Sequence, residues 1–204
     1  GDIDTSHFGF LHLGGLTTDD VAEDGPLYHT ILDRAPEYHV MDSPWGTTYG
    51  VYRGAGKPGQ TYWRFANFMF PFWTQTPQGN FPGFVHSRAW VPMDDTHTMF
   101  INMFWKGMDQ RGLPLKDGTP IPGARTPFPY APNTTDWYGR WRLEKNESND
   151  WGIDRVAMRT GKNFCGIENI HLQDQAVTES MGGITTHDFE HLGLHVSPDI
   201  DTVV

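Results

Sequence analysis

The sequence predicts an α+β fold, and three observations carry that prediction. Aromatic and β-branched runs between residues 38 and 105 have the composition of strands, a short helical segment precedes them, and a longer one follows. Residues 4–13 read as the first helix, stopped by Gly14-Gly15, and a loop region follows to about residue 36. Strands are predicted at 38–42, 46–53, 60–70, 83–92 and 96–105. The Gly-Lys-Pro-Gly turn at 56–59 separates two of them, and Asp94-Asp95 separates two more as a hairpin turn. Residues 107–136 hold Pro114, Pro120, Pro122, Pro127, Pro129 and Pro132, so they exclude a helix interior or a central strand and predict a long functional loop. Helix returns over 167–181, and a short segment to Leu192 ends at Gly193.

A length of 204 residues is enough for one sizeable core, so a single domain over 1–204 is expected. The 8 Trp, 13 Phe and 7 Tyr mark a folded chain and not a disordered one. With 25 Asp+Glu against 15 Lys+Arg, there is no basic footprint for nucleic acid and no polybasic face for anionic lipid. No apolar run approaches a bilayer span, and the expected location is the cytoplasm. The one cysteine, Cys165, excludes an internal disulfide or a multi-cysteine metal site and is read as a small apolar filler. Ten histidines remain, so any metal must be held by imidazole and carboxylate.

Two clusters supply such donors. In Asp4-Thr5-Ser6-His7-Phe8-Gly9-Phe10-Leu11-His12, Asp4 and His7 share a helix face, where the carboxylate can hold the imidazole. His7 and His12 are five apart, about 140° around a regular α-helix, which is poor geometry for one metal. An i→i+5 turn, or unwinding at His12, would bring them together. Taken alone, the two histidines read as ordinary polar residues. In the second cluster Ile170, Val177 and Met181 define an apolar stripe with Asp174 in its middle. An inward carboxylate needs a metal or a partner; the plain alternatives are an ion pair to a buried Arg, or an exposed Asp174 if the segment is not this helix. Glu179 lies off the stripe and is expected in solvent. Two imidazoles and one carboxylate would make a 2-His-1-carboxylate set, which leaves positions open for oxygen and substrate.

The opening stretch GDIDTSHFGFLH, with its Asp4-x-x-His7-x-x-x-x-His12 spacing, resembles the iron-ligand motif of Rieske ring-hydroxylating oxygenase α subunits, above all the phthalate-oxygenase-like branch. VPMDDTHTMFINMFW at 91–105 resembles that branch's strand pair, and residues 149–193 resemble its C-terminal ligand region, so three stretches agree in order. The resemblance implies His7, His12 and Asp174 as ligands of mononuclear Fe(II), and Asp4 as the carboxylate bridging to a neighbouring subunit's Rieske cluster. It implies a helix-grip (START-like, Bet v 1-like) fold, a curved antiparallel sheet around a C-terminal helix, and homotrimers in the complete protein. Electrons would come from NAD(P)H through a reductase and a [2Fe-2S] Rieske cluster, with O2 and an aromatic small molecule as substrates to be hydroxylated or demethylated.

The family's Cys-x-His and Cys-x-x-His pairs have no match here, and residues 194–204 depart from the family and are expected to form a mobile tail. The expected reading is a catalytic domain without its Rieske domain, truncated and inactive alone; the alternative is a half-enzyme supplied with electrons in trans. Two rival functions stand beside it: a non-catalytic START-like binding module, and a zinc hydrolase using the same three ligands. Trp63, Phe65, Phe68, Phe70, Phe72 and Trp73 are expected mainly in the core, with some facing an apolar pocket. Arg53, Arg64 and Arg88 on strands could bind a substrate carboxylate, with a surface or structural ion pair as the default role. His86, His97, His171, His187, His191 and His195 are expected to be solvated or hydrogen-bonded, with His171 of interest for lying three residues from Asp174.

Overall fold

The structure is a computed structural model that describes residues 8–23, 25–78, 86–104, 114–124, 126–127 and 129–183. The candidate residues Asp4, His7, His187, His191 and His195 and the expected mobile tail lie outside the described residues. The described residues open with a π-turn at Phe8–His12 and a 3-10 turn at Thr18–Asp20, followed by α1 (Pro26–Leu32). The sheet comprises β1 (Glu37–Ser43), β2 (Gly46–Gly54), β3 (Thr61–Met69), β4 (Trp73–Gln78), β5 (His86–Pro92) and β6 (Thr98–Phe104). A 3-10 segment at Glu147–Gly152, α2 (Arg155–Arg159) and α3 (Ile170–Glu179) complete the described elements. All strand pairs are antiparallel and the order is β1-β2-β3-β4-β5-β6, a meander. The α+β class therefore holds. None of the described helices is long and apolar enough to cross a membrane.

Four elements depart from the sequence reading. α1 forms where a loop was expected: Pro26 occupies its first turn, where its missing N–H costs nothing, and Leu27 and Ile31 join Leu13, Val21 and Ile121 in one core cluster. The 3-10 segment and α2 were also unread, although Asn146 and Asp154 accept backbone N–H groups at their starts. β4 forms where the sequence predicts only the exit of the preceding strand. It is polar and short, pairs with β5 at three positions, and meets β3 across a register shift between Phe65 and Asn67. The β1–β2 turn requires Gly46, whose φ is +149° and where a Cβ would stand 2.0 Å from the Phe68 carbonyl oxygen.

Cross-strand register divides the sheet into two faces. Tyr49, Val51, Arg53, Arg64, Ala66 and Thr74 are buried on the inner face. There the Phe8 ring lies 4.8 Å from the Arg64 guanidinium, His29 of α1 packs at 5.0 Å on Tyr62, and His171 of α3 stacks at 4.8 Å on Phe100. The outer face carries the Tyr52–Trp63–Phe65 stack, with centroids 4.6 and 5.8 Å apart. Trp63 and Phe65 are 38% and 39% exposed and Phe70 is 66% exposed, so these three are not core residues as expected. Aromatic content marked the strand but not its faces, because rings stabilise either side of a sheet by cross-strand stacking.

The Asp94-Asp95 turn joins β5 to β6 as expected, and Asp94 also anchors the loop beyond it. It accepts the Tyr138 hydroxyl, the Thr96 N–H at 2.8 Å and the His97 N–H at 2.7 Å, while Tyr138 stacks on His97 at 4.0 Å. The Tyr138 hydrogen bond, followed by the Thr96 N–H, holds the Asp94 carboxyl well below the usual carboxylate range. A depressed folded pKa stabilises fully above the unfolded value of about 4 and is lost only as pH falls far below it. Tyr138→Phe should therefore move the Asp94 carboxylate midpoint, followed by NMR, upward toward that value.

Candidate metal centre

Two core clusters fix the segments that meet at the site. Leu13, fully buried, holds the π-turn against α1, and Leu172 packs with Trp151, Ile167 and Ala176 to seat α3. The Leu13 N–H donates to the Phe8 carbonyl at 3.2 Å, the i→i+5 bond that the five-residue histidine spacing calls for. Arg34 clamps the end of this turn. Its Nη1 donates to the carbonyls of Gly9 and of Leu13 (3.2 Å for the latter), and its Nη2 to Leu16 O at 2.8 Å. These bonds satisfy carbonyls that the widened turn leaves open. Only glycine fits at Gly14, just after the turn, because a Cβ there would lie 2.3 Å from both Phe10 O and the Phe164 ring.

α3 begins at Asn169, whose side chain accepts the Leu172 N–H at 3.1 Å and donates to Thr126 O. Its inward face is not the expected stripe. Leu172, Gln173 and Ala176 are buried, whereas Val177 is 44% and Met181 71% exposed. In a ten-residue helix two apolar series compete. The series containing Leu172 and Ala176 wins because Trp151 and Ile167 are there to receive it. Asp174 consequently sits at the rim, its side chain 26% exposed. Glu179 is exposed as expected, yet it accepts the Trp151 indole N–H at 2.6 Å and the Gln175 amide at 2.7 Å.

The π-turn and α3 meet at three polar side chains. His12 Nε2 lies 3.0 Å from Asp174 Oδ1, and His12 Nδ1 lies 2.7 Å from Gln173 Oε1. The Gln173 Nε2 donates to Ile167 O at 2.8 Å, which orients the amide and leaves Oε1 as acceptor. His12 Nδ1 must then carry the proton, and in the neutral ring Nε2 is a lone-pair donor facing the carboxylate. Two ligands at right angles, each about 2.1 Å from one divalent ion, lie about 3.0 Å apart. An imidazole nitrogen and a carboxylate oxygen at this separation fit iron, manganese or zinc. A second proton on His12 would instead make the pair an ordinary ion pair. The His12 side chain is 2% exposed and the Phe8 ring meets it edge-on at 5.7 Å, so water reaches the pair mainly from the Asp174 side.

Of the four sequence-predicted site residues, the structure brings His12 and Asp174 together, while Asp4 and His7 lie outside the described residues. Among the described residues no group of three His, Cys, Asp or Glu side chains is placed to hold an ion. His171 turns to Phe100 instead. Gln173 and Arg34 were missed: a glutamine beside a ligand carries no distinctive pattern, and Arg34 acts on backbone carbonyls that no sequence reveals.

Further along the inner face, His86 Nε2 lies 2.9 Å from Asn102 Oδ1, and His86 stacks on Phe104 at 4.4 Å. Arg88 Nε donates to that same nitrogen at 3.4 Å, and the Trp90 indole N–H donates to Thr74 Oγ1 at 3.2 Å. Arg53 and Arg64 are 4% and 9% exposed, which removes the surface half of the default role expected for them.

Residues 1–200 match the family described as LigXa C-terminal domain like. The chain is 50% identical over 195 residues to the 3-chlorobenzoate-3,4-dioxygenase oxygenase subunit of Comamonas testosteroni, covering 94% of this chain and 45% of that protein. It is 30% identical over 199 residues to the phthalate 4,5-dioxygenase oxygenase subunit of Pseudomonas putida, covering 95% of this chain and 43% of the relative. The chain spans less than half the length of these two curated relatives.

Proposed function

This chain belongs to the LigXa C-terminal domain like family, and from that premise we propose that it is the iron-holding catalytic region of a Rieske-type non-haem iron oxygenase acting on an aromatic carboxylate. The observation that carries the reading is the 3.0 Å approach of His12 Nε2 to Asp174 Oδ1, with the imidazole tautomer set by Gln173. His12 and Asp174 would be two ligands of mononuclear Fe(II) and His7 the third. Asp4 would link this site to a Rieske [2Fe-2S] cluster. The domain as a whole would be a single helix-grip unit, with the substrate held between the inner sheet face and the two ligand-bearing segments.

Bound ferrous iron would supply the activation of dioxygen. The chain's own residues supply placement. Gln173 holds one ring nitrogen of His12 protonated so that the other presents its lone pair toward Asp174, the Phe8 ring packs edge-on against the imidazole, and Asp174 contributes the negative charge. The two relatives are named for 3-chlorobenzoate and phthalate, both aromatic carboxylates. The inner-face guanidinium of Arg88, 5.8 Å from the Phe100 ring centroid, is the group we assign to such a carboxylate. One or both oxygen atoms would enter the substrate, by hydroxylation or demethylation, with electrons from NAD(P)H delivered by a reductase and the Rieske cluster of a complete, trimeric assembly. The isolated chain would bind iron without sustained NAD(P)H-driven turnover.

Anaerobic reconstitution is the test. The wild type should take up one Fe(II) per chain, and His7→Ala and His12→Ala should each lose it. The non-catalytic reading, which treats His12–Asp174 as a plain ion pair, instead requires no iron uptake together with tight binding of apolar ligands.

A further inference from the structure

Beneath α1 lies a second polar cluster that the metal centre does not use. Arg53 on β2 and Tyr62 on β3 are directly paired across the strands, and His29 of α1 packs its ring 5.0 Å from that of Tyr62. Arg53 Nε and Nη1, Tyr62 Oη and His29 Nδ1 are all buried and have no hydrogen-bond partner. None of the three residues hydrogen-bonds to the His12–Asp174–Gln173 group. Arg53 is 4% exposed and makes no ion pair among the described residues. Asp33 attracts it only from a distance, and Arg64 adds like charge beside it. Burial, then Arg64, draws the Arg53 pKa below its ordinary value, but a guanidinium stays charged. Native proteins leave few such groups unmet, and a buried charge is met by a counter-charge.

We propose that Arg53, Tyr62 and His29 form a binding site for one small monovalent inorganic anion of halide size, held between α1 and the β2–β3 hairpin. A guanidinium, a phenol and an imidazole can each donate to such an ion. A water molecule could accept the same N–H groups but would leave the guanidinium's charge uncompensated. The burial of Arg53 Nε and Nη1, Tyr62 Oη and His29 Nδ1 excludes a bulky organic anion, and Arg53 is the one guanidinium among these unpartnered donors, which matches a single negative charge.

The test is the thermal midpoint of the 204-residue chain as sodium chloride replaces sodium gluconate at constant ionic strength. Wild type should gain on the order of 5 °C once chloride reaches about a hundred times its dissociation constant. Arg53→Met should show no chloride response, and Tyr62→Phe should need roughly tenfold more chloride for the same gain. Should Arg53→Met fail to fold, the chloride-35 NMR line width decides: broadening by wild type that is reduced in Tyr62→Phe supports the site. A midpoint indifferent to chloride in wild type overturns the proposal, as does an equal response in all three proteins. Stabilisation by benzoate but not by chloride also overturns it, and would make the cluster part of the substrate site. Iron content is irrelevant to these readouts, so the proposal can fail while the oxygenase reading stands.

Discussion

Asp174→Ala is expected to reduce iron retained after anaerobic reconstitution and desalting from one equivalent to under about a tenth, because removing the sole described anionic donor costs far more than the 10–100-fold typical of a supporting group. Asp174 is the carboxylate that faces His12 Nε2 at 3.0 Å, and its position at the rim of α3 leaves the helix core of Leu172 and Ala176 untouched by the substitution. Circular dichroism of the variant should therefore remain close to wild type, separating metal loss from misfolding. Asp174→Asn retains an oxygen at the same reach but not the negative charge, and intermediate iron is expected. Full, stoichiometric iron in Asp174→Ala would remove Asp174 from the ligand set.

Gln173→Leu is expected to weaken Fe(II) binding by about 10–100-fold without removing any ligand. Leucine is close in volume, so packing is largely kept, but the acceptor for the His12 Nδ1 proton disappears and Ile167 O loses its amide donor, keeping only the Cys165 thiol at 3.4 Å. The buried imidazole then loses the bond that fixes its tautomer, and leaving such a group unpaired costs about 1–3 kcal/mol. Gln173→Glu keeps an acceptor at the same distance and should restore most of the affinity. Nitrogen-15 shifts of the His12 ring in the iron-free protein give an independent readout: Nδ1 protonated in wild type, a tautomer mixture in Gln173→Leu. An unchanged tautomer in the leucine variant would show that Gln173 does not set it.

What could be read from sequence, and what could not, divides along physical lines. The π-turn was legible because two histidines five apart cannot share a face of a regular helix, and Gly14-Gly15 marked where the distortion could end. The strands around the GKPG and Asp94-Asp95 turns were legible from composition and turn residues alone. β4 was not, since its partners are defined by tertiary pairing across a bulge and its residues are polar. The meeting of His12 with Asp174 was anticipated for the right residues but by the wrong helix face, because the Ile170, Val177 and Met181 spacing is helical without being buried. Burial of Arg53 under α1 was out of reach, since α1 itself was read as loop.

The Arg34 clamp has a dynamic consequence. A turn widened by one residue has few hydrogen bonds of its own, so the persistence of His12's orientation depends on a guanidinium that sits two residues beyond α1. Local opening of α1 would withdraw that guanidinium, and the metal-donor segment would open in the same event. The Leu13 amide and the amides of α1 should accordingly exchange with solvent deuterium as one cooperative unit, and Arg34→Met should speed exchange at Leu13 far more than within α3.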